Sequence, residues 1–388
     1  MPVRLSVISS ALTAVLVGFG GSVAIVLAAA QAVGATGGQT SSWVAALCLA
    51  MAGTSAVLGF MHRMPMVTAW STPGAALIAS TSGITIEAAV GAFVVSAGLI
   101  IFTGLIKPLG ELIARIPATI ASAMLAGVLL QFVIAIFGHL TELPALVVPL
   151  LIGFFVARLY DASLAVLGVL AAGIALTFAL GLNTPINGAL GLSQFELITP
   201  AFDSAVLIGL AVPLYIVTMA SQNLPGFAVL RAAGYEPPVR SALLVTGIAS
   251  LVTAPFGAHT SNMAAITAAI CTGPDTHPDP AKRWTASLFY GFFYLLLALF
   301  GAALIALMLA MPSAFIATVA GLALLGPLTG ALAAAMKEPA GHVPAVVTFV
   351  VTASGLTVAG IGSAFWGLAA GLAVLGLGAA AGRSKGSS

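Results

Sequence analysis

From Val7 to Val33 the chain runs without one charged side chain, and stretches of that kind recur to its end with only short polar connections between them. A bilayer's hydrocarbon core of ~30 Å is crossed by about 20 helical residues. Backbone N–H and C=O groups find no water there, so a crossing stretch is either a helix or a strand of a closed barrel. The runs are too long for the alternating strands of a barrel, roughly ten residues each, which leaves helices. Of 388 residues, 61% are hydrophobic and 6% charged, with a mean hydropathy of +1.18. A soluble globular domain is excluded, and the chain reads as an all-α, polytopic membrane protein. The first run is too long for the apolar core of a signal peptide and reads as the first span.

One apolar stretch is interrupted in its middle. In Met64–Ser80 (MPMVTAWSTPGAALIAS), Pro73 lacks an N–H and disfavours the helical conformation at Thr72. The expected structure is an extended strand over Val67–Trp70, then a short helix starting near Ser71. Pro255–Ile270 (PFGAHTSNMAAITAAI) repeats the arrangement. A proline kink in a continuous helix is the competing reading, and the second break weakens it.

Fourteen spans are expected. The first seven are Val7–Val33, Trp43–Met61, the broken Met64–Ser80, Ala88–Ile106, Ile116–Gly138, Leu143–Ala157 and Ser163–Leu182. The second seven are Val206–Leu230, Ser241–Pro255, the broken Phe256–Cys271, Thr285–Met311, Ala314–Leu332, Pro344–Leu356 and Ile361–Ala381. Residues 1–182 form one seven-span half and 204–388 the other, joined by 183–203. With the N-terminus cytoplasmic, all 12 Lys and Arg fall in inside segments, among them Lys107, Arg115, Arg383 and Lys385. The outside segments hold Glu87, Glu142, Glu196 and Asp203, as the positive-inside rule requires. Both termini are then cytoplasmic, in the inner membrane of a bacterial-type cell.

Seven spans per half is odd, so a repeat must be inverted. Gln31 corresponds to Gln222, Ser71 to Ser261, and Ile116–Gly127 to Met311–Gly321. Inverted repeats with paired broken helices are a secondary-transporter pattern, with the binding site where the breaks meet.

The segments TAWSTPGAAL (Thr68–Leu77), TMASQNLPG (Thr218–Gly226), AAITAAIC (Ala264–Cys271), HPDPAKRW (His277–Trp284) and TASGLTVAGIGSAFWGL (Thr352–Leu368) resemble the benzoate/proton symporter (BenE) family over essentially the whole chain. That family is similar in architecture to nucleobase and sulfate-type anion transporters. The resemblance implies a 7+7 inverted repeat with a core domain of spans 1–4 and 8–11 and a gate domain of spans 5–7 and 12–14. It implies a small aromatic carboxylate and protons as partners, in a lipid bilayer, and leaves a homodimer open. The expected function is proton-coupled import of benzoate or a similar acid by alternating access. A carrier of another anion or a nucleobase, or a passive anion channel, remains an alternative.

The predicted membrane interior holds no Lys, Arg, Asp or Glu, so a bound carboxylate has no arginine clamp. Positive potential comes from half-helix N-termini, worth about 0.3–1 kcal/mol each and up to ~2 when partly buried. Ser71 and Thr72 on one side, and Thr260, Ser261 and Asn262 on the other, are candidate ligands. The same groups serve as helix caps. His259 is the histidine expected at membrane depth. It is the proton carrier, a hydrogen-bonding partner of a neighbouring carbonyl, or a side chain facing the outer vestibule, and it departs from the acidic site that the resemblance to nucleobase transporters implies. Ser221, Gln222 and Asn223 lie on a polar stripe with Tyr215 and Thr218, which either orients the ligand or joins helices. Phe19, Trp70 and Phe256 flank the site as ring contacts. Trp43 and Trp284 are expected in interfacial belts or helix packing. Cys48 and Cys271 form no disulfide or metal framework, and no catalytic constellation, cofactor, metal or nucleic-acid site is expected.

Overall fold

A computed structural model describes residues 4–106, 117–160, 162–185, 192–359 and 361–385. Lys107, Arg115 and Ile116 lie outside the described residues, as does part of the 183–203 connection; the side chains of Arg383 and Lys385 are likewise outside the description. Eight helical stretches among the described residues are long and apolar enough to cross a membrane. In chain order the elements are α1 (Leu5–Gly20), α2 (Val23–Ala32), α3 (Gly37–His62), β1 (Thr68–Trp70), α4 (Thr72–Ala79), α5 (Ile86–Leu105), α6 (Ala118–Glu142), α7 (Pro144–Arg158) and α8 (Ala162–Ala179). They continue as α9 (Ser204–Ala232), α10 (Val239–Thr253), β2 (Ser261–Met263), α11 (Ile266–Thr272), α12 (Thr285–Phe300), α13 (Ala302–Leu309), α14 (Ser313–Ala335), α15 (His342–Ala353) and α16 (Ser363–Lys385).

Two rods are interrupted at glycine. Between α1 and α2, a Cβ on Gly21 would stand 2.6 Å from the Val17 carbonyl oxygen, so the turn closes only on glycine. The span expected to run unbroken from Thr285 to Met311 divides in the same way into α12 and α13 at Gly301, whose Cβ would meet the Leu297 carbonyl oxygen at 2.4 Å. Hydropathy is uniform across both turns and cannot locate them.

Helix α9 carries two π-helical turns, Leu207–Ala211 and Met219–Asn223. Val212 N–H reaches the Leu207 carbonyl and Leu224 N–H the Met219 carbonyl. The residue that follows each, Pro213 or Pro225, has no N–H for the ordinary helical bond to Gly209 or Ser221. The second turn contains Ser221, Gln222 and Asn223.

The two broken segments cross at their strands. β1 and β2 pair antiparallel, Thr68 with Met263, Ala69 with Asn262 and Trp70 with Ser261. Exchanging Thr68 with Ser261, Ala69 with Asn262 and Trp70 with Met263 maps this register onto itself. In this register Ser71 stands before α4 as its cap, whereas Ser261 is the first residue of β2. The strand runs further past Ser261 than the proline spacing suggests.

The pairing has a second consequence. Thr260, Ser261 and Asn262 are held extended, with Ser71 N–H donating to the Thr260 carbonyl (3.0 Å) and Ala264 N–H to the Val67 carbonyl (3.1 Å). The second half-helix therefore begins at Ile266; Ser261 and Asn262 belong to β2 and Thr260 leads into it, so none of the three stands at the helix N-terminus.

Around this centre one continuous buried core draws on α1–α14 and α16, with α6 lying along α14 and α15 along α16. Large apolar side chains face outward along the rods, among them Phe60, Ile134, Phe137, Ile152, Phe155, Val252 and Phe300. In water such a surface would drive aggregation; in lipid it is the ordinary outer face.

Candidate functional site

A two-stranded ladder inside a membrane bundle leaves outward-facing backbone groups with no strand to pair with and no water nearby. Side chains from the surrounding helices close both edges. On β1, Thr68 N–H donates to Ser55 Oγ (3.0 Å), and the Tyr290 hydroxyl donates to the Thr68 carbonyl (2.9 Å). On β2, Ser261 N–H donates to Ser250 Oγ (2.8 Å) and Met263 N–H to Asn223 Oδ1 (2.9 Å). All four donors and acceptors are neutral, so the crossing is fixed without a charge in the interior.

The chain leaves β1 directly into α4. Ser71 is its N-cap, with Oγ accepting from Gly74 N–H at 3.0 Å, and Pro73 occupies the first turn, where a missing N–H costs nothing. Ser71 is fully buried and Thr72 half-buried. Beside this cap, Trp70 Nε1–H donates to Ser22 Oγ (2.9 Å), at the glycine turn between α1 and α2. The Trp70 ring meets Phe19 edge-on at 5.7 Å and Tyr294 at 6.0 Å, and Tyr294 lies 4.9 Å from Tyr290. Four aromatic rings thus stand next to the first half-helix.

His259 is fully buried between Trp43, Phe93 and the Ser71 cap. Trp43 Nε1–H donates to Nδ1 (3.1 Å), and Nε2 faces the Ser71 carbonyl oxygen (3.1 Å). An indole N–H only donates and a carbonyl only accepts, which fixes a neutral imidazole with its proton on Nε2. A second proton on Nδ1 would face the indole N–H. In this conformation His259 ties the segment before β2 to the cap of α4.

The polar stripe on α9 divides. Tyr215 hydrogen-bonds the Thr103 hydroxyl, Thr218 bonds Thr260 (2.7 Å) and Asn223 holds β2, so these three join elements. Ser221 and Gln222 are half-buried on the second π turn. Phe256 is drawn elsewhere: its ring packs on Phe195 of the 183–203 connection at 5.8 Å, and its carbonyl accepts from Ser42. Ser261 Oγ and Asn262 Oδ1 are buried with no hydrogen-bond partner among the described residues. The Asn262 amide nitrogen donates to the Met263 carbonyl (2.9 Å), which leaves its oxygen as the free end.

Sequence reasoning missed Ser55, Ser250, Tyr290 and Tyr294; of the two places it allowed Trp43, an interfacial belt or helix packing, the structure has it in the packing, buried against His259. The spacing of Tyr290 and Tyr294, one helical turn apart in an apolar run, was the available signal. Trp284 packs under the Arg63 guanidinium, which lies 4.1 Å from its ring and 4.5 Å from that of Phe60. At the other end of α4 a cavity of about 50 Å³ is lined by Leu77, Ser80, Thr81, Val206, Gly209 and Ser363. Ligand sites measure hundreds of Å³, so this one suits water.

Two broken segments crossing inside an apolar helical bundle are the frame of a membrane transport protein. Solved structures share the fold. The transmembrane domain of a cyanobacterial bicarbonate transporter, BicA, matches with TM-score 0.63 at 16% identity, covering 95% of this chain and 97% of that one. The murine Slc26a9 anion transporter in its inward-facing state matches with TM-score 0.63 at 13% identity, covering 96% and 67%. The chain belongs to the benzoate membrane transport protein family, whose model matches residues 1–377. Among curated relatives, the benzoate membrane transport protein of Acinetobacter baylyi is 34% identical over 92% of this chain and 91% of its own length. The inner membrane protein YdcO of Escherichia coli is 43% identical over 92% of each.

Proposed function

We propose that the protein imports benzoate or a similar small aromatic carboxylate together with protons, by alternating access. The observation that carries this reading is the start of α4 at the strand crossing, directly beside the Phe19–Trp70 pair. The carboxyl group would meet Ser71, Thr72 and the Thr72 N–H at the start of α4 from one side, with Ser261 and Asn262 reaching it from β2. The ring would lie against Phe19 and Trp70. Ser221 and Gln222 would line the approach, Thr260 and Asn223 would hold the frame, and Phe256 would act near the outer connection.

The architecture we infer is fourteen segments in a 7+7 inverted repeat, supported by the meeting of the two broken segments as an antiparallel pair. Spans 1–4 and 8–11 form the core that carries the crossing, and spans 5–7 and 12–14, built from α6–α8 and α14–α16, form the gate. The charge distribution supports cytoplasmic termini.

A carboxylic acid of pKa about 4 is ionised at pH 7 and excluded by the bilayer, so a carrier coupled to protons is useful. One pH unit is worth about 1.36 kcal/mol, a tenfold accumulation for one proton per substrate. A second proton would add ~2.3 kcal/mol per 100 mV.

Uptake of radiolabelled benzoate into proteoliposomes under an imposed pH gradient tests the reading, with bicarbonate, sulfate, uracil and aliphatic acids as competitors. Accumulation above equilibrium is expected. No uptake sinks the substrate assignment, and uptake that never passes equilibrium makes the protein a channel. The bicarbonate transporter among the fold relatives favours a second reading, a carrier of another anion, which bicarbonate competition would reveal.

A further inference from the structure

Proton coupling needs a group that gains a proton on one face of the membrane and loses it on the other. Every Asp and Glu among the described residues lies at the end of an element or in a connection, and none is buried. The buried Arg283 is engaged at the far end of α11, donating to the Thr272 carbonyl (2.8 Å) and the His277 carbonyl (2.7 Å). His277 lies beside it and accepts Asp279 N–H at 3.0 Å. Phenols and thiols titrate near 10 and 8.5 in water and hold their protons at working pH. His62, His139 and His342 lie in the end turns of helices and are not buried, so His259 remains, and the groups facing it are Trp43 from α3, Phe93 from α5 and the Ser71 carbonyl. Its acceptor nitrogen already takes an N–H that has no other role, and its donor nitrogen faces an oxygen that cannot donate.

At the crossing itself two buried groups are free: Asn262 Oδ1, which only accepts, and Ser261 Oγ, whose hydroxyl can donate to the carboxyl's other oxygen. Asn262 Oδ1 is buried and unpartnered, its amide nitrogen being held by the Met263 carbonyl. A bare acceptor repels a carboxylate and suits an O–H. Burial without a counter-charge likewise favours the neutral acid over its anion, since the N-terminus of α4 offers an anion at most ~2 kcal/mol, less than burying an unpaired carboxylate costs.

We propose that the transported proton travels on the substrate's own carboxyl group, which donates its O–H to Asn262 Oδ1, so that no protein side chain titrates during the cycle. The step balances simply: an O–H bond forms on one carboxylate oxygen from a proton on the outer side, and the same bond breaks to water on the inner side. Stoichiometry is one proton per substrate, and the loaded carrier moves no net charge. This rests on the reading of the chain as a proton-coupled aromatic-acid carrier.

The test uses the full-length wild-type protein in proteoliposomes, corrected for protein-free vesicles, at fixed pH. Initial uptake is measured for meta- and para-substituted benzoates whose acid pKa values span about one unit. If the ligand carries the proton, log kcat/KM rises with ligand pKa with a slope near one, tenfold per unit. A slope near zero would overturn the proposal, because a protein-borne proton is indifferent to ligand basicity. His259→Gln, which keeps a donor and an acceptor, is expected to lower uptake while a lumenal pH dye still reports one proton per benzoate. Benzoate uptake without acidification in that variant would also overturn it. Complete absence of benzoate uptake by the wild type would instead overturn the functional reading, and this inference with it.

Discussion

Asn223→Ala isolates the closure of the ladder edge. Asn223 is fully buried, and its Oδ1 is the acceptor for Met263 N–H at 2.9 Å. Truncation leaves that N–H with no partner, which costs about 1–3 kcal/mol. The vacated volume adds roughly 1 kcal/mol, taking about 24 cal/mol per Å³ and a residual cavity of some 40 Å³. Membrane hydrogen bonds average nearer 0.6 kcal/mol because the membrane-embedded reference state finds other partners, which favours the lower end. About 2–3 kcal/mol is expected, mostly felt locally as opening of β2. Hydrogen exchange of a peptide covering Ser261–Ala264 reads this directly: protection should fall roughly 30- to 150-fold, while peptides in α14 and α16 stay unchanged. Exchange within threefold of wild type would refute the account of Asn223 as the residue that closes β2. Gly226, one helical turn along, gives a check on geometry, since a Cβ there would stand 2.6 Å from Met263 Cβ and 2.8 Å from the Ala264 carbonyl oxygen.

Three further outcomes follow from the same geometry. Trp70→Phe keeps the ring contact with Phe19 and Tyr294 but loses the 2.9 Å bond to Ser22, and should raise KM for benzoate about three- to tenfold with little change in the melting temperature; an unchanged KM would remove Trp70 from the ligand site. Gly91→Ala places a Cβ 2.0 Å from the Ala201 carbonyl oxygen, so the connection before α9 should lift from α5 at a cost of about 1–3 kcal/mol, seen as faster limited proteolysis there. Asp279 holds its carboxyl below the usual carboxylate range chiefly by accepting Ala281 N–H, with Lys282 alongside. A lowered value in the folded state adds stability at neutral pH that is lost only as pH falls below the ordinary carboxylate range, so Trp284 fluorescence should stay flat from pH 7 to about 5. A transition above pH 5 that Asp279→Asn abolishes would contradict this.

Proline, glycine and hydropathy make the broken segment at Met64–Ser80 legible from the residues alone. Pro73 at the first turn of α4 and Ser71 as its cap are local chemistry, written in adjacent residues. The second break is legible in existence but not in register. Pro255 marks a turn well ahead of the strand, and only pairing with β1 shows that Ser261 and Asn262 continue extended to Met263. The π turns of α9 follow from Pro213 and Pro225, yet nothing in the sequence says that the helix widens rather than kinks there. Ser55, Ser250 and Tyr290 are invisible for another reason. A hydroxyl in an apolar run usually bonds its own helix, as Thr246 does to the Ala242 carbonyl, and only three-dimensional crossing converts it into a strand partner. His259 stands out in the sequence for being ionisable at depth, and the structure supplies what composition cannot, an indole and a carbonyl that fix its neutral form.

The closed ladder also bears on which parts can move. Alternating access requires two bodies to shift past each other, and motion is least expensive where no buried hydrogen bond must break. β1 and β2 are joined to one another and, through Ser55, Tyr290, Ser250 and Asn223, to α3, α12, α10 and α9. His259 and Trp43 add α3 and the cap of α4 to the same network. Opening the crossing would leave several buried polar groups unpaired at once, at about 1–3 kcal/mol each. The contacts of α4 with α6, and of α2 with α14, join the proposed core to the proposed gate. Contacts of packed apolar side chains can slide without orphaning a donor. The substrate site is therefore expected to travel as a rigid unit, with the shift taken up along α6 and α14. A cysteine pair linking β1 to α3 should leave uptake intact when oxidised, whereas one linking α4 to α6 should arrest it reversibly.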